Sequence, residues 1–432
     1  QTGVEVQLWA ATSIKQLLVN QGITKYDKTP KSGMPKLPKD FLKTHENRFL
    51  RFVSKAREYD KALNTFVEGL KGYVYKGRIH ADINQIRGDG GGTVTGRFSM
   101  SNPNLQQIPS KGFIGKKMRE LFIPEEGCDW GSFDYSQQEP RIVVHYAIKK
   151  ILRKLEEYID KKTGEKKLKD VGMSEEGKKL KQEFDKDEAD FHQIVADMAK
   201  ISRKQAKTIN LGLFYGMGKG KLQAELNLDK DQAKKLFDTY HNKVPFVKEL
   251  SDGLMKFATN NKLIFTLEDR FCRFDKYESV NKRWNNKERK FEEWDPEAKP
   301  EKQEDGTIKY KGDWISPRLM SREEAWERFK LLYNSKTLSK KENPQSPGKY
   351  EELNEQEREG WFKQYFTPAF TYKALNRLVQ GSAADMTKKA MVLLYEKGIV
   401  PHIQIHDELC VSIPKDNETW TTVQKIMEQA IK

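Results

Sequence analysis

Phe133-Asp134-Tyr135-Ser136-Gln137-Gln138-Glu139-Pro140-Arg141 is the stretch on which the fold of this chain turns. A strand-like approach meets a carboxylate at Asp134, and a helix-compatible run follows. A carboxylate at a strand end sits where backbone borders a site. Taken alone, Asp134 reads more simply as the N-cap of the following helix.

A second acidic stretch lies far downstream, His402-Ile403-Gln404-Ile405-His406-Asp407-Glu408-Leu409-Cys410-Val411-Ser412-Ile413. Ile403 and Ile405 alternate with polar residues, and Leu409, Val411 and Ile413 alternate again. That period predicts two strands of a tight hairpin with His406, Asp407 and Glu408 at or near its turn. His402 and His406 mimic a zinc pair, but along a strand they stand about 13 Å apart at ~3.3 Å per residue. One zinc ion cannot span that distance.

Between these stretches lies Arg203-Lys204-Gln205-Ala206-Lys207-Thr208-Ile209-Asn210-Leu211-Gly212-Leu213-Phe214-Tyr215-Gly216. Arg203, Lys207, Leu211 and Tyr215 recur every four residues and form one drifting stripe on a helix. Two cations, an aliphatic and an aromatic in that order suit a triphosphate, a sugar and a base. An amphipathic helix with exposed cations is the alternative. Upstream, Thr95-Gly96-Arg97-Phe98-Ser99-Met100-Ser101-Asn102-Pro103-Asn104-Leu105-Gln106-Gln107-Ile108-Pro109 is dense in amides and turn residues. Such a segment can bond sugars and base edges, or be an ordinary surface loop.

Composition narrows the classes. The 432 residues carry 78 Lys plus Arg against 63 Asp plus Glu, a formal charge of +15. A polyanionic partner is expected, with nucleic acid first. The eight Trp, 22 Phe and 16 Tyr exclude a wholly disordered chain. No stretch approaches the ~20 apolar residues of a membrane span. Three scattered cysteines, without CxxC spacing, exclude a disulfide scaffold and suit a reducing, intracellular setting. The chain opens on Gln1 and so reads as a fragment or a processed product.

In this order, the stretches together resemble DNA polymerase family A, the group of bacterial DNA polymerase I and many bacteriophage replicases; an organellar origin is equally compatible. Asp134 to Arg141 is similar to its motif A, Arg203 to Gly216 to its motif B, and His406-Asp407-Glu408 to its motif C. The Thr95 to Pro109 segment matches its template-primer contact region. Asn376-Arg377-Leu378-Val379-Gln380-Gly381-Ser382-Ala383-Ala384-Asp385 resembles a further block.

The resemblance implies an α+β right-hand polymerase fold, with a palm antiparallel sheet, helical fingers and a partial helical thumb. It implies a template-directed DNA polymerase that adds dNTPs to a primer 3′-hydroxyl and releases pyrophosphate. Asp134 and Asp407 would hold two Mg2+ ions, with Mn2+ as a substitute. Lys207 would contact the triphosphate and protonate the pyrophosphate, with Arg203 and His192 also on phosphates, Tyr215 at the nascent pair, and Gln137 and Leu211 in the nucleotide site. Glu139 resembles the steric gate against a ribose hydroxyl. Arg97, Asn104, Gln106, Asn376, Gln380 and His406 resemble primer-template contacts. Leu211 departs from the family's usual Phe or Tyr, which puts its usual dideoxynucleotide discrimination in question. Pro140 and Tyr372 are further departures.

The implied organisation is a partial thumb over 1–71, palm over 72–148 and 362–432, and fingers over 188–270. Two charged insertions, 149–187 and 271–361, read as solvated and partly mobile. Expected partners are primer-template DNA, dNTPs and a processivity or replisome protein, with no membrane and a monomeric chain. The location would be a host cytoplasm, a bacterial cytoplasm or an organelle. Three readings compete: a catalytically inactive DNA-binding module with the same fold, a metal-dependent phosphodiesterase, and a single-subunit RNA polymerase.

Overall fold

The computed structural model describes residues 7–28, 32–86, 88, 91–110, 112–159, 166–186, 189–214, 219–226, 228–280, 282–285, 290–295, 298, 300–302, 308–310, 313–334 and 350–431. The chain forms two compact units. The first comprises Gln1–Thr93, Phe98–Asp134 and Met391–Gln429; the second comprises Val94–Arg97, Tyr135–Ala390 and Ala430–Lys432.

The first unit opens with helices Ala11–Asn20 and Arg48–Lys61. Asn47 starts the second by accepting the Phe49 amide at 2.8 Å. Ile14, Leu17 and Leu18 pack against Leu42, Leu50 and Val53. Phe49, Phe52, Val53 and Ala56 stand at helical spacing on this second helix. Phe52 is 50% exposed, under the Arg48 guanidinium. Leu50 and Val53 are the inward pair, and the cation covers the ring left outside.

A three-stranded antiparallel sheet organises the rest of this unit. Its strands are β1 (Cys128–Asp134), β2 (Pro401–Ile405) and β3 (Glu408–Pro414), in the order β2-β3-β1. The hairpin expected around Asp407 is therefore present. Strict alternation is not: β3 buries Leu409, Cys410, Val411 and Ile413. The strand is covered on both sides, so two side-chain sets turn inward. Cys410, Ile403 and Ile405 join Met100, Leu105, Ile108 and Met118 in one cluster. On β1, Phe133 meets Trp420 of the helix Asn417–Gln429 at 5.1 Å. Gly131 faces Val411 in the register. A Cβ there would lie 2.7 Å from both the Ile413 and Phe133 side chains, so the mid-strand glycine admits close packing.

The second unit is mainly helical. Helices α1 (Gln138–Tyr146), α2 (Phe191–Ala199), α3 (Arg203–Phe214) and α4 (Ala374–Glu396) carry its motifs. Val143, Phe191, Val195, Ala206, Ile209 and Phe246 centre a large core. The motif-A helix α1 begins after Gln137, which is left-handed at φ 52°. Asp134 thus ends a strand and caps no helix.

Both charged insertions hold more order than their composition suggests. The strand Arg153–Ile159 pairs antiparallel with Lys166–Met173. The helix Glu175–Phe184 follows, capped by Ser174, and places Leu180 and Phe184 in the main core. In the second insertion, helices Arg322–Asn334 and Glu355–Tyr365 enclose Tyr277, Phe329, Tyr333, Phe362 and Phe366. Trp326 stacks on Phe362 at 4.4 Å. Aromatic residues spaced by helical turns among many charges build this second core, and average composition hides them. Most of the charged runs at 285–290 and 299–306 lies outside the described residues. Among the described residues, no helix is long and apolar enough to cross a membrane.

Candidate active site

Asp134 is the last residue of β1 and lies opposite Glu408 in the β1–β3 register. Asp407 immediately precedes Glu408, in the two-residue turn that joins β2 to β3. Two carboxylates 407 − 134 = 273 positions apart in sequence thus meet at one end of one sheet. His406, in that turn, is held left-handed at φ 59°. A non-glycine there costs roughly 1–2 kcal/mol, which the paired strands on either side sustain.

The charges at this sheet end are not alike. Burial, then Asp407, then Glu408 push the Asp134 carboxyl up to about 6. Burial also works against Glu408. Its hydrogen bonds from Ser132 and Arg119 nevertheless hold it below the usual carboxylate range. The Ser132 hydroxyl donates to Glu408 Oε1 at 2.5 Å, and Arg119 Nη1 reaches both carboxylate oxygens at 2.9 and 3.2 Å. Glu408 is therefore paired from within the fold. Asp134 keeps a raised proton affinity because it is partly buried, with Asp407 and Glu408 adding to the shift. Mutually repelling carboxylates of this kind fit a divalent cation. Among the described residues, no group of three or more His, Cys, Asp or Glu forms a cage.

The same unit links three expected DNA-contact residues through one that the sequence did not suggest. Asn104 Oδ1 accepts the Gln106 amide at 3.1 Å. Gln106 Nε2 donates to Gln404 Oε1 at 2.9 Å, and Gln404 Nε2 donates to the His406 carbonyl. Gln404 is buried. Its one sequence signal is a polar residue between Ile403 and Ile405. Arg119 and Ser132 were likewise missed. His402 stacks on Trp130 at 6.0 Å.

The second unit gathers the other residues. Arg97 Nη2 pairs with Glu139 Oε1 at 2.5 Å, both side chains largely shielded. Gln137 is committed to backbone: its Nε2 donates to the Ala189 carbonyl, and its Oε1 accepts the Phe191 amide at 2.9 Å. Both ends of the Gln137 amide thus serve the start of α2. Asp190 caps α2 through the His192 and Gln193 amides and accepts from Arg203 Nε at 2.7 Å.

His192 is buried, with Nδ1 3.1 Å from Asn210 Nδ2. Tyr240 donates its hydroxyl to the other end of that amide, Asn210 Oδ1. The Asn210 carboxamide therefore points its NH2 at the imidazole. Burial lowers the His192 pKa, with Lys207 and Arg203 adding to the shift against Asp190. The shift favours the neutral ring. On α3, Ser202 and Gln205 form a reciprocal cap at 3.3 and 3.0 Å. Ala206, Ile209 and Asn210 face inward. Arg203 and Lys207 are exposed, and Leu211 is half-buried. Tyr215 lies outside the described residues. Asn376 and Gln380 are half-buried, one turn apart on α4.

The sequence model of DNA polymerase family A matches residues 1–292 and 351–432. The chain belongs to that family. Family A proteins similar to it include a DNA-directed DNA polymerase of Pseudomonas phage M6, 28% identical over 448 residues, covering 94% of this chain and 52% of that protein. A thermostable DNA polymerase I of Thermus thermophilus is 26% identical, covering 84% of this chain and 32% of that protein. The chain spans about half or less of the length of these family A relatives. Among solved structures, the POL domain of Pol1 from M. smegmatis, in complex with DNA primer-template and dNTP, covers 100% of this chain and 59% of that one. It does so at a TM-score of 0.57 and 20% identity. The polymerase fold expected from the motifs is therefore present. The stretch without a family A match, 293–350, falls inside the second charged insertion.

Proposed function

We propose that this chain is the synthetic part of a template-directed DNA polymerase, joining dNTPs to a primer 3′-hydroxyl with release of pyrophosphate. The observation that carries the reading is the meeting of Asp134 and Asp407 at one sheet end, with Glu408 already paired to Arg119 and Ser132. Asp134 and Asp407 would hold divalent cations, Mg2+ with Mn2+ as a substitute. Such ions, two in the proposed site, supply charge neutralisation at the attacking and leaving oxygens of an in-line displacement.

The chain's own residues do the rest. Arg203 and Lys207 present fixed cations to the triphosphate, where negative charge grows as pyrophosphate leaves. Lys207 is the candidate proton donor to that group. Asp190 holds Arg203 in place until a phosphate competes for it. His192 adds a neutral ring. Glu139 takes the place of a gate beside the sugar C2′, and Leu211 packs near it. Asn104, Gln106, His406, Arg97, Asn376 and Gln380 take primer-template contacts. Minor-groove acceptors are alike in all pairs, so such contacts test shape without reading sequence. The basic helices of 1–71 would grip duplex phosphates as a partial thumb. An intracellular monomer, working with a processivity partner, completes the proposal.

A catalytically inactive DNA-binding module would not need Asp134, Asp407, Arg203 and Lys207 together. Primer extension with purified chain, dNTPs and Mg2+ or Mn2+ is the test. Metal-dependent extension that follows the template supports the reading, and no extension with either metal removes it.

A further inference from the structure

Asp385 closes the Asn376-to-Asp385 block, yet the roles above leave it without work. It is 8% exposed, and its Oδ1 accepts from Arg270 Nε at 2.8 Å. Among the described residues its Oδ2 has no hydrogen-bond partner; Arg270 is the cation bonded to this buried carboxylate, with Lys388 nearby. The guanidinium reaches further. Nη2 donates to the carbonyls of Thr95 and Gly381, each at 3.0 Å. Two glycines make room for it. A Cβ on Gly96 would lie 2.7 Å from Nη1, and one on Gly381 would lie 3.2 Å from Nη2. Gly96 is also at φ 81°, which disfavours any side chain there.

The backbone that carries Arg270 is fixed as well. Thr266 donates its N–H and its hydroxyl to the Arg270 carbonyl, at 2.9 and 3.0 Å. The Leu267 amide donates to Ser382 at 3.2 Å, and Lys389 pairs with Glu268 at 2.7 Å. A rigid turn thus aims one planar fork at the loop that ends in Arg97, whose own guanidinium meets Glu139. A lysine has no such fork.

We infer that Arg270, anchored by Asp385, is a positioning residue: it fixes the Thr95-Gly96-Arg97 loop and so sets Arg97 against Glu139, which governs the choice between deoxyribose and ribose. This rests on the polymerase reading for its functional half and on the fold alone for its structural half.

The test has two arms. In the DNA-free chain, amide hydrogen exchange at Thr95, Gly96 and Arg97 is compared between wild type, Arg270→Ala and Arg270→Lys. Both variants are expected to exchange faster there by about tenfold, the effect of losing one or two hydrogen bonds. Unchanged exchange in both overturns the inference, whatever the chain catalyses. In primer extension, Arg270→Ala is expected to lower the dNTP-over-rNTP preference by about tenfold. In an Arg97→Ala background the same change should move that preference by less than about twofold, because the route through Arg97 is already gone. Additive losses overturn the coupling. Should Arg270→Ala fail to fold, Arg270→Lys carries both arms, and a wild-type preference with wild-type exchange in that variant also overturns it. A wild-type chain that extends no primer removes the polymerase reading, and the exchange arm then decides the loop placement alone.

Discussion

Arg97 and Glu139 stand 42 positions apart in sequence, yet their side chains meet at 2.5 Å in the second unit. One was expected at the primer and the other at the nucleotide sugar, and the ion pair makes them a single device. Under the polymerase reading, Glu139→Ala removes the bulk that a ribose hydroxyl would strike. The ratio of kcat/KM for dNTP over rNTP should fall by at least about tenfold. Arg97→Ala leaves the carboxylate present but unheld, so the ratio should fall by less. A Glu139→Ala chain with unaltered sugar preference would show that the gate lies elsewhere.

Asp134→Ala and Asp407→Ala separate chemistry from binding. DNA affinity comes mostly from phosphate contacts, which neither carboxylate makes. Single-turnover incorporation should drop by more than about a thousandfold. The Kd for primer-template, measured at fixed salt, should stay within about threefold. Near-native turnover in either variant would refute the cation assignment.

Much of this arrangement was legible in the sequence, and the reason is local chemistry. The hairpin around Asp407 is written in period-two alternation, and the α3 stripe in four-residue spacing. The partners that hold the Glu408 carboxylate, Arg119 and Ser132, lie 289 and 276 positions away, so no local pattern announces them. For Gln137, nothing local reveals that both ends of its amide serve the start of α2. The same holds for His192, whose burial beside Asn210 and Tyr240 is set by helix packing. Within the second charged insertion, the helical period through Ala325, Trp326, Phe329 and Leu332 marks the helix Arg322–Asn334, whereas its packing partners Tyr277 and Phe366 carry no such local signal.

Asp134 should make the cation-free fold less stable as pH rises. Its carboxyl titrates near about 6 in the folded chain, against 3.8 ordinarily. Below pH 3.8 both states hold the proton and nothing is lost. Between 3.8 and 6 the unfolded chain ionises first, so stability falls, and above 6 the penalty is complete. Asp134→Asn should therefore gain stability over wild type above pH 6 and none below 3.8. The residue is exposed at the sheet edge, so screening reduces the gain to about 1 kcal/mol. Urea unfolding with chelator present measures it. Added Mg2+ should stabilise wild type more than Asp134→Asn, through binding to the folded state. A variant no more stable than wild type at pH 7.5 would mean that the carboxylates are not in conflict.

Arg119 offers the sharpest test of how the fold divides its negative charge. It spans both oxygens of Glu408, so Arg119→Ala releases a full charge beside Asp134. Glu408 already raises the Asp134 proton affinity even while partnered. Without the guanidinium that repulsion grows, and Asp134 should hold its proton to higher pH. The acid limb of the pH–rate profile for incorporation should then move up by roughly half a unit to one unit. Arg119→Lys keeps the charge but not the two-oxygen reach, so its limb should lie nearer wild type. A slower Arg119→Ala enzyme with an unmoved acid limb would assign Arg119 to packing or to DNA, and not to the electrostatics of the carboxylate pair.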